Sequence, residues 1–280
     1  MSRALYRPVL LFAGQELVIA MRSRWTQIFA VTFAALALAV AVSGYVLSGG
    51  HGVQDFARTA ASLIQMVLLL VPATALFLGV LALAPERGAT ELVYAQPVPR
   101  SAVLVGKALG LTAALAAAQA IGFGAAGVVV FARAGGEGVI GYLILVAASM
   151  VLTAVFVSLA AFIAAASPGR RARSLAVAMV AWFLAVVLYD VAALGAASVL
   201  PSRTASRLLI ISVLLNPVDA VRTGALLATQ GTTAFGAASL AFFRFTGGTV
   251  GAALLLALSL VVWLVGPMAA AARRLERCDL

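Results

Sequence analysis

Six long apolar runs dominate this sequence, and each is long enough to cross a lipid bilayer. They fall near residues 26–47, 60–84, 102–132, 140–166, 174–200 and 249–272. The hydrocarbon core of a bilayer is about 30 Å thick, and about 20 helical residues span it. Because the runs are continuous and rich in Ala and Leu rather than alternating, we predict membrane-spanning helices and not barrel strands. The third run is longer than a span needs, so its helix should tilt or protrude.

The composition excludes other classes of protein. Of 280 residues, 64% are hydrophobic and only 10% are charged, whereas soluble domains carry about 25% charged residues. A soluble enzyme is therefore excluded, and so is a disordered chain, which requires low hydrophobicity. Little sequence remains outside the runs, so we predict an all-α, polytopic membrane protein with one transmembrane domain over residues 1–280.

The basic residues predict the orientation. The formal net charge is +10, from 19 basic and nine acidic residues. With six spans and both termini on one side, thirteen bases fall on the terminal side and six on the other. Basic residues accumulate in cytoplasmic loops, so both termini should be cytoplasmic. The same rule explains the charge without a nucleic-acid partner.

The segment before the first span predicts an interfacial helix. Residues 8–24 contain approximately periodic apolar positions and end with Arg22 and Arg24. Pro8 suits the first turn of a helix, and Trp25 suits the headgroup level where span one begins. The alternative is an N-terminal extension of span one.

The segment between spans five and six contains an apolar run too short to cross a bilayer. Residues 208–215 meet Asn216-Pro217, a pair that ends or kinks a helix. We predict two short re-entrant or extracytoplasmic helices over the outer mouth of the bundle. A seventh span is the alternative, but it would place the basic C-terminus outside.

Two polar groups fall near that outer mouth. Tyr189-Asp190 lies within the outer third of span five; an ionisable residue there is costly and faces the bundle interior. Its role is either in a pathway or gate, or as a hydrogen-bond partner of a neighbouring helix. In residues 216–222, Asn216 can cap a helix begun by Pro217, and Asp219 can pair with Arg222 three residues later.

A loop between spans two and three predicts a docking surface. Residues 86–94 contain Glu86, Arg87 and Glu91 together with Leu92, Val93 and Tyr94, and Arg100 follows the Pro97/Pro99 pair. A loop that served topology alone would need only bases. A short amphipathic helix there could bind another protein, and a solvated loop is the alternative.

The sequence predicts neither an enzyme nor a metal or cofactor site. The single Gly-Lys pair, Gly106-Lys107, lacks the first glycine of a phosphate-binding loop, because Ser101 stands in its place. His51 is the single histidine and Cys278 the single cysteine, too few for a metal centre. Gly122, Gly124 and Gly127 match a dinucleotide fingerprint but lie inside an apolar run, where small residues serve helix packing.

Several motifs, in this order, resemble the permease subunits of ABC-2-type transporters. They are Gln15-Glu16-Leu17, Arg22-Ser23-Arg24-Trp25, Glu86-Arg87-Gly88 with Thr90 and Leu92, then Pro97, Arg100 and Gly106-Lys107. Trp182-Phe183-Leu184, Tyr189-Asp190 and Leu214-Leu215-Asn216-Pro217-Val218-Asp219 with Arg222 resemble, more narrowly, the NosY family of permeases associated with nitrous oxide reductase maturation.

The resemblance implies a homodimer of six-span permeases in a bacterial inner membrane, with two cytoplasmic ATPase subunits, a periplasmic partner and the surrounding lipid. It further implies export of a sulfur-containing species for a copper–sulfur centre. Glu86, Arg87, Glu91 and Arg100 would then couple to the ATPase. The outer gate would comprise Tyr189, Asp190, Asn216, Pro217, Asp219 and Arg222. A generic exporter of lipids or hydrophobic compounds and a proton-coupled secondary transporter are the alternatives.

Overall fold

The described part of the chain is a bundle of helices. A computed structural model describes residues 3–46, 53–84, 98–134, 138–167, 169–231, 242–243 and 245–277. Within these ranges every regular element is helical. The helices are α1 (Arg3–Arg22), α2 (Arg24–Val46), α3 (Val53–Leu83), α4 (Arg100–Ala134), α5 (Val139–Ala166), α6 (Arg171–Phe183), a π-helix (Leu184–Leu188), α7 (Tyr189–Ser198), α8 (Ser202–Leu215), α9 (Pro217–Gln230) and α10 (Thr249–Arg277).

Among the described residues, six helices are long and apolar enough to span a membrane, which confirms the predicted number. They are α2, α3, α4, α5, the continuous α6–π–α7 helix, and α10. The third span, α4, has 35 residues and is therefore about 52 Å long. This length exceeds a hydrocarbon core of about 30 Å, so α4 protrudes or tilts, as its sequence predicts.

The N-terminal helix begins earlier than predicted. It starts at Arg3 rather than Pro8, so Pro8 lies inside α1 and not in its first turn. Only one turn precedes this proline, and the missing N–H removes a single bond, to the Ala4 carbonyl. A break at Ser23 separates α1 from α2. The first segment is therefore a helix of its own.

The spanning helices alternate in direction. Arg171 and Trp182 of the fifth span donate to the carbonyls of Leu81 and Leu69 of α3, so these two spans run antiparallel. At the start of α4, Lys107 pairs with Glu16 of α1, and Arg100 donates to the Leu275 carbonyl of α10. The N-terminal helix and the end of α10 thus share one end of the bundle, the "basic end". The other is the "far end".

The packed core lies among α2, α3, α4 and α5. A ladder of edge-to-face ring contacts joins Phe33 of α2 to Phe123 of α4 and then to Tyr142 of α5. Gly122 lies so close to Phe33 that an added Cβ would come within 2.5 Å of its ring. The predicted packing role of the glycines is therefore confirmed at Gly122. The fifth span and α10 flank this core and are largely exposed.

Candidate functional site

The segment between spans five and six forms a sharply bent helix pair. The axes of α8 and α9 differ in direction by 102° across Asn216. α8 begins where the fifth span ends, at the far end. α9 ends at Gln230, whose amide donates to the carbonyl of Ala57 near the start of α3, also at the far end. The start of α8 and the end of α9 therefore both lie at the far end of the bundle, so the pair is re-entrant and not a seventh span.

The bend follows from Asn216 and Pro217. Proline lacks the N–H that would continue α8, and it occupies the first position of α9. The Asn216 side chain accepts a 3.0 Å hydrogen bond from the Val218 N–H, which caps α9. The predicted cap is therefore confirmed.

Side chains from two other helices donate to carbonyls in the last turn of α8, where the helix leaves those of Leu214 and Leu215 without a backbone donor. Tyr189 donates to the Ser212 carbonyl at 2.9 Å. Ser259 and Trp263 of α10 donate to the carbonyls of Leu214 and Leu215, at 2.6 and 3.1 Å. Inside a bilayer no water can take these places. The broken helix pair is thus held by the fifth and sixth spans together.

The fifth span is itself irregular opposite the bend. Residues Leu184–Leu188 form a π-helix, a local widening that changes the backbone hydrogen-bond ladder. The Asn216 amide donates at 2.8 Å to the carbonyl of Ala185 within this segment. One side chain therefore caps α9 and fixes it to the π-helix.

An ion cluster joins the fifth span to α9. The Arg222 Nη1 lies 2.6 Å from the Asp190 Oδ2 and 2.9 Å from the Asp219 Oδ1. The Asp190 contact is a hydrogen bond, whereas the Asp219 contact is an ion pair without hydrogen-bond geometry. The Arg222 Nε is buried and, among the described residues, has no hydrogen-bond acceptor. Two carboxyl groups thus share one guanidinium whose hydrogen-bonding capacity is incompletely used.

The cluster lies in the far half of the bundle. Asp190 follows Arg171 by 19 residues, which corresponds to about 28 Å along the fifth span. Its side chain is 29% exposed, against 22% for Arg222 and 9% for Asp219. The cluster is therefore half-buried, close to the far surface and within reach of it.

The structure brings together the six residues predicted near the outer mouth: Tyr189, Asp190, Asn216, Pro217, Asp219 and Arg222. The Asp219–Arg222 pair was predicted, whereas the bond from Arg222 to Asp190 was not. Those residues are 32 positions apart, and sequence spacing predicts only contacts within one helix. Arg100 lies at the basic end, and Glu86, Arg87 and Glu91 lie outside the described residues.

A second polar cluster was missed by the sequence analysis. Gln119 of α4 donates to the Thr153 hydroxyl and accepts from the Ser149 hydroxyl of α5, both at 2.6 Å. All three residues are buried. The signal available was an amide in the middle of an apolar run. In the described part of the chain, no three His, Cys, Asp or Glu side chains lie close enough together to hold a metal ion.

The sequence of this chain is similar to known proteins over most of its length. Residues 10–280 match the model of the ABC-2 family transporter proteins. A protein of Pseudomonas aeruginosa, named "Probable ABC transporter permease protein NosY", is 31% identical over 218 residues, which cover 75% of this chain and 78% of the relative. A protein of the same name from Stutzerimonas stutzeri has the same identity and coverage. Together with the six spans, these matches show that the chain belongs to the ABC-2 family of transporters, as a multi-pass permease subunit.

Proposed function

We propose that this permease exports a sulfur-containing species across a bacterial inner membrane for assembly of the copper–sulfur centre of nitrous oxide reductase. The name of its relatives, NosY, supports a role in the maturation of nitrous oxide reductase. An ATPase partner and a second permease copy are implied by the family. We place both termini in the cytoplasm, because the basic end carries most of the arginines and cytoplasmic loops are rich in basic residues.

The ion cluster and the broken helix pair form the proposed outer gate. The observation that carries this proposal is the bond from Arg222 to Asp190, since it joins the re-entrant α9 to the fifth span. Asp190 follows the π-helix and Arg222 follows the break at Asn216, and π-helices and helix breaks concentrate at functional sites. An incompletely bonded charged contact can separate and re-form more readily than a packed apolar one. Tyr189 and Asn216 hold the surrounding backbone in place.

A cross-link across the cleft between α7 and α8 tests the gate. Ala193 and Ile211 both line this cleft, beside the ion cluster but outside it. In a Cys278→Ser background, Ala193→Cys with Ile211→Cys can be joined by a short, reducible bis-methanethiosulfonate linker. We expect ATP turnover by the reconstituted complex to fall several-fold and to recover on reduction.

A matched pair controls for rigidity in general. Thr32 of α2 and Ala73 of α3 line another cleft, and none of its described lining residues belongs to α7, α8 or α9. The same linker between cysteines at these positions should leave ATP turnover unchanged. Full turnover with the Ala193–Ile211 link in place, or equal inhibition by both links, would overturn the gate.

The coupling site is proposed at the basic end. Glu86, Arg87 and Glu91 would bind the ATPase, and Arg100 would fix the start of α4 through its bond to the Leu275 carbonyl. We expect Glu86→Ala with Arg87→Ala to preserve folding but to abolish stimulation of the ATPase. Stimulation equal to that of the unmodified protein would contradict this assignment.

Complementation tests the cargo. A bacterium that lacks its NosY permease would receive this chain with its cognate ATPase, and the purified nitrous oxide reductase would be assayed for copper and for the spectrum of its copper–sulfur centre. We expect the spectrum to be restored. An enzyme without this centre, produced alongside a complex that hydrolyses ATP normally, would contradict the cargo and leave the gate standing.

A second candidate is export of a lipid or hydrophobic compound. The cleft between α2 and α3, about 520 Å³ in volume, is lined almost wholly by apolar side chains, among them Trp25, Phe29 and Phe77. A cargo with a long hydrocarbon chain would fit its chemistry. Stimulation of ATP turnover by such amphiphiles, with no effect on reductase maturation, would favour this candidate.

A further inference from the structure

Two side chains of the fifth span bind α3 on either side of its proline. The Arg171 Nη2 donates to the Leu81 carbonyl at 3.0 Å, and the Trp182 Nε1 donates to the Leu69 carbonyl at 3.2 Å. The two donor residues are about 16 Å apart along the fifth span, and the two carbonyls are about 18 Å apart along α3. Pro72 lies between the carbonyls, so each half of α3 has its own bond to the fifth span.

Pro72 is the place where α3 can bend. Its missing N–H removes the helical bond to the Leu68 carbonyl, and long helices bend at such residues. The Thr74 hydroxyl donates at 2.6 Å to the Leu70 carbonyl, a type of bond that also bends helices. α3 ends three residues before residues 86–94, which contain the proposed ATPase contact. A pull on this loop can therefore swing the adjoining half of α3 about Pro72.

Trp182 lies between the basic end of the fifth span and the gate. Its bond to Leu69 joins the fifth span to the far half of α3, which a pull on the loop does not swing. Inside a bilayer no water competes for this carbonyl. Arg171 lies about 16 Å from Trp182 towards the basic end, and Asp190 lies about 12 Å from it towards the far end. The fifth span is one continuous helix, so a displacement of Arg171 about Trp182 shifts Asp190 in the opposite direction.

We propose that Arg171 and Trp182 are positioning residues that transmit movement of the ATPase contact to the outer gate. Arg171 moves with the basic end of α3, Trp182 is the pivot, and Asp190 shifts relative to the re-entrant α9. This inference rests on the ATPase contact and the gate of the proposed function. The control link between Thr32 and Ala73 leaves the movement free, because Ala73 lies beside the bend at the proline.

The nucleotide response of the gate tests this role. The reporter is the Ala193→Cys, Ile211→Cys pair in the Cys278→Ser background, within the complex reconstituted with a cysteine-free ATPase. The rate at which the short bis-methanethiosulfonate linker joins the pair is measured without nucleotide and after trapping with ATP and vanadate. The ratio of the two rates is the response. The amount of trapped nucleotide is measured separately and reports the state of the ATPase.

Trp182→Phe keeps an aromatic ring and loses the N–H. We expect it to reduce the response about threefold, which is the usual effect of one hydrogen bond between membrane helices, and to leave the amount of trapped nucleotide unchanged. Tyr142→Phe is the matched control, because it removes a donor to the Phe123 carbonyl between α4 and α5. It should keep the full response. A bond that served stability alone would not change the ratio.

Arg171→Gln should reduce the response by a similar factor, because it removes the guanidinium that binds α3. Arg173→Gln removes the same charge from an exposed position of the same helix and should keep the response. A response that Trp182→Phe and Arg171→Gln leave intact, or that either control reduces equally, would overturn the proposal and leave the gate standing. A complex that has both bonds but shows no response to nucleotide would overturn the gate as well.

Discussion

Two polar clusters inside this apolar bundle differ in charge and in the helices that they join. The cluster of Gln119, Ser149 and Thr153 is neutral and buried, and it joins two regular helices, α4 and α5. The cluster of Asp190, Asp219 and Arg222 is charged and half-buried, and it joins the π-interrupted fifth span to the re-entrant α9.

The difference is what we expect of a fixed core beside the proposed gate. In the neutral cluster the Gln119 amide has partners at both its nitrogen and its oxygen, and the Thr153 hydroxyl also bonds to the Ser149 carbonyl at 3.0 Å. Fully bonded polar networks rigidify a core. In the charged cluster the Arg222 Nε is buried without a described partner. We therefore expect substitutions in the first cluster to change stability alone, and those in the second to change function as well.

Removal of the shared cation should have the largest effect. Arg222→Gln leaves the carboxylates of Asp190 and Asp219 close together without their guanidinium, and breaking such a buried pair costs about 3 kcal/mol. We expect a loss of this size in the free energy of unfolding, together with a several-fold fall in ATP turnover by the complex. Unfolding in mixed micelles and ATP hydrolysis in nanodiscs measure the two effects.

Arg222→Lys separates charge from geometry. Lysine keeps the positive charge but cannot present two N–H groups in a plane, so it should restore most of the stability and only part of the turnover. Normal stability and normal ATP turnover of Arg222→Gln would contradict the expected difference between the charged and the neutral cluster.

Loss of the cap should have the next largest effect. Asn216→Ala removes the acceptor that caps α9, which costs about 1 kcal/mol, and the donor to the Ala185 carbonyl, so we expect a total of about 1–2 kcal/mol. Asn216→Ser keeps a capping oxygen and loses the amide donor, without adding a negative charge beside Asp219. If the link to the π-helix matters for movement, the Ser variant should be the more stable of the two but should still lower ATP turnover.

The neutral cluster should tolerate substitution better. Gln119→Leu preserves the apolar packing; the Thr153 hydroxyl keeps its bond to the Ser149 carbonyl, and the Ser149 hydroxyl can donate to a carbonyl of its own helix. Hydrogen bonds between helices in membranes contribute about 0.6 kcal/mol on average, so a loss of about 1 kcal/mol is expected. ATP turnover should be unchanged. A fall in turnover similar to that of Arg222→Gln would show that the α4–α5 contact also moves.

The sequence predicts one of these clusters well and the other hardly at all. Proline, asparagine and a charge pair at spacing three have local meanings, so the cap and the Asp219–Arg222 pair could be predicted from residues 216–222. The bond from Arg222 to Asp190 depends on how α9 folds back against the fifth span, which no local pattern encodes. The partners of Gln119 depend likewise on the register between α4 and α5. The number of spans, in contrast, follows from hydropathy because the bilayer fixes their length.

We expect the smallest effect at the ion pair between Glu16 and Lys107, which shares one property with each cluster. Like the proposed gate it is charged, and like the neutral cluster it joins two α-helices. Burial raises the pKa of the Glu16 carboxyl above the ordinary value of 4.5, and Lys107 opposes the shift. Between the unfolded-state pKa of 4.5 and the raised pKa of the folded protein, the folded protein therefore binds more protons than the unfolded chain. As the pH rises through this range, the Glu16 carboxyl makes the folded protein less stable.

Glu16→Gln removes that titration without removing the side-chain volume. We expect the difference in unfolding free energy, unmodified protein minus variant, to fall as the pH rises above 4.5, and ATP turnover to stay unchanged. Taking the difference cancels the other carboxylates. Lys107→Met should extend the fall to higher pH, because the opposing cation is lost. A difference in unfolding free energy that stays level or rises with pH would contradict the raised pKa of Glu16. If Glu16→Gln instead lowers ATP turnover at constant stability, a charged contact between two regular helices is also functional in this bundle.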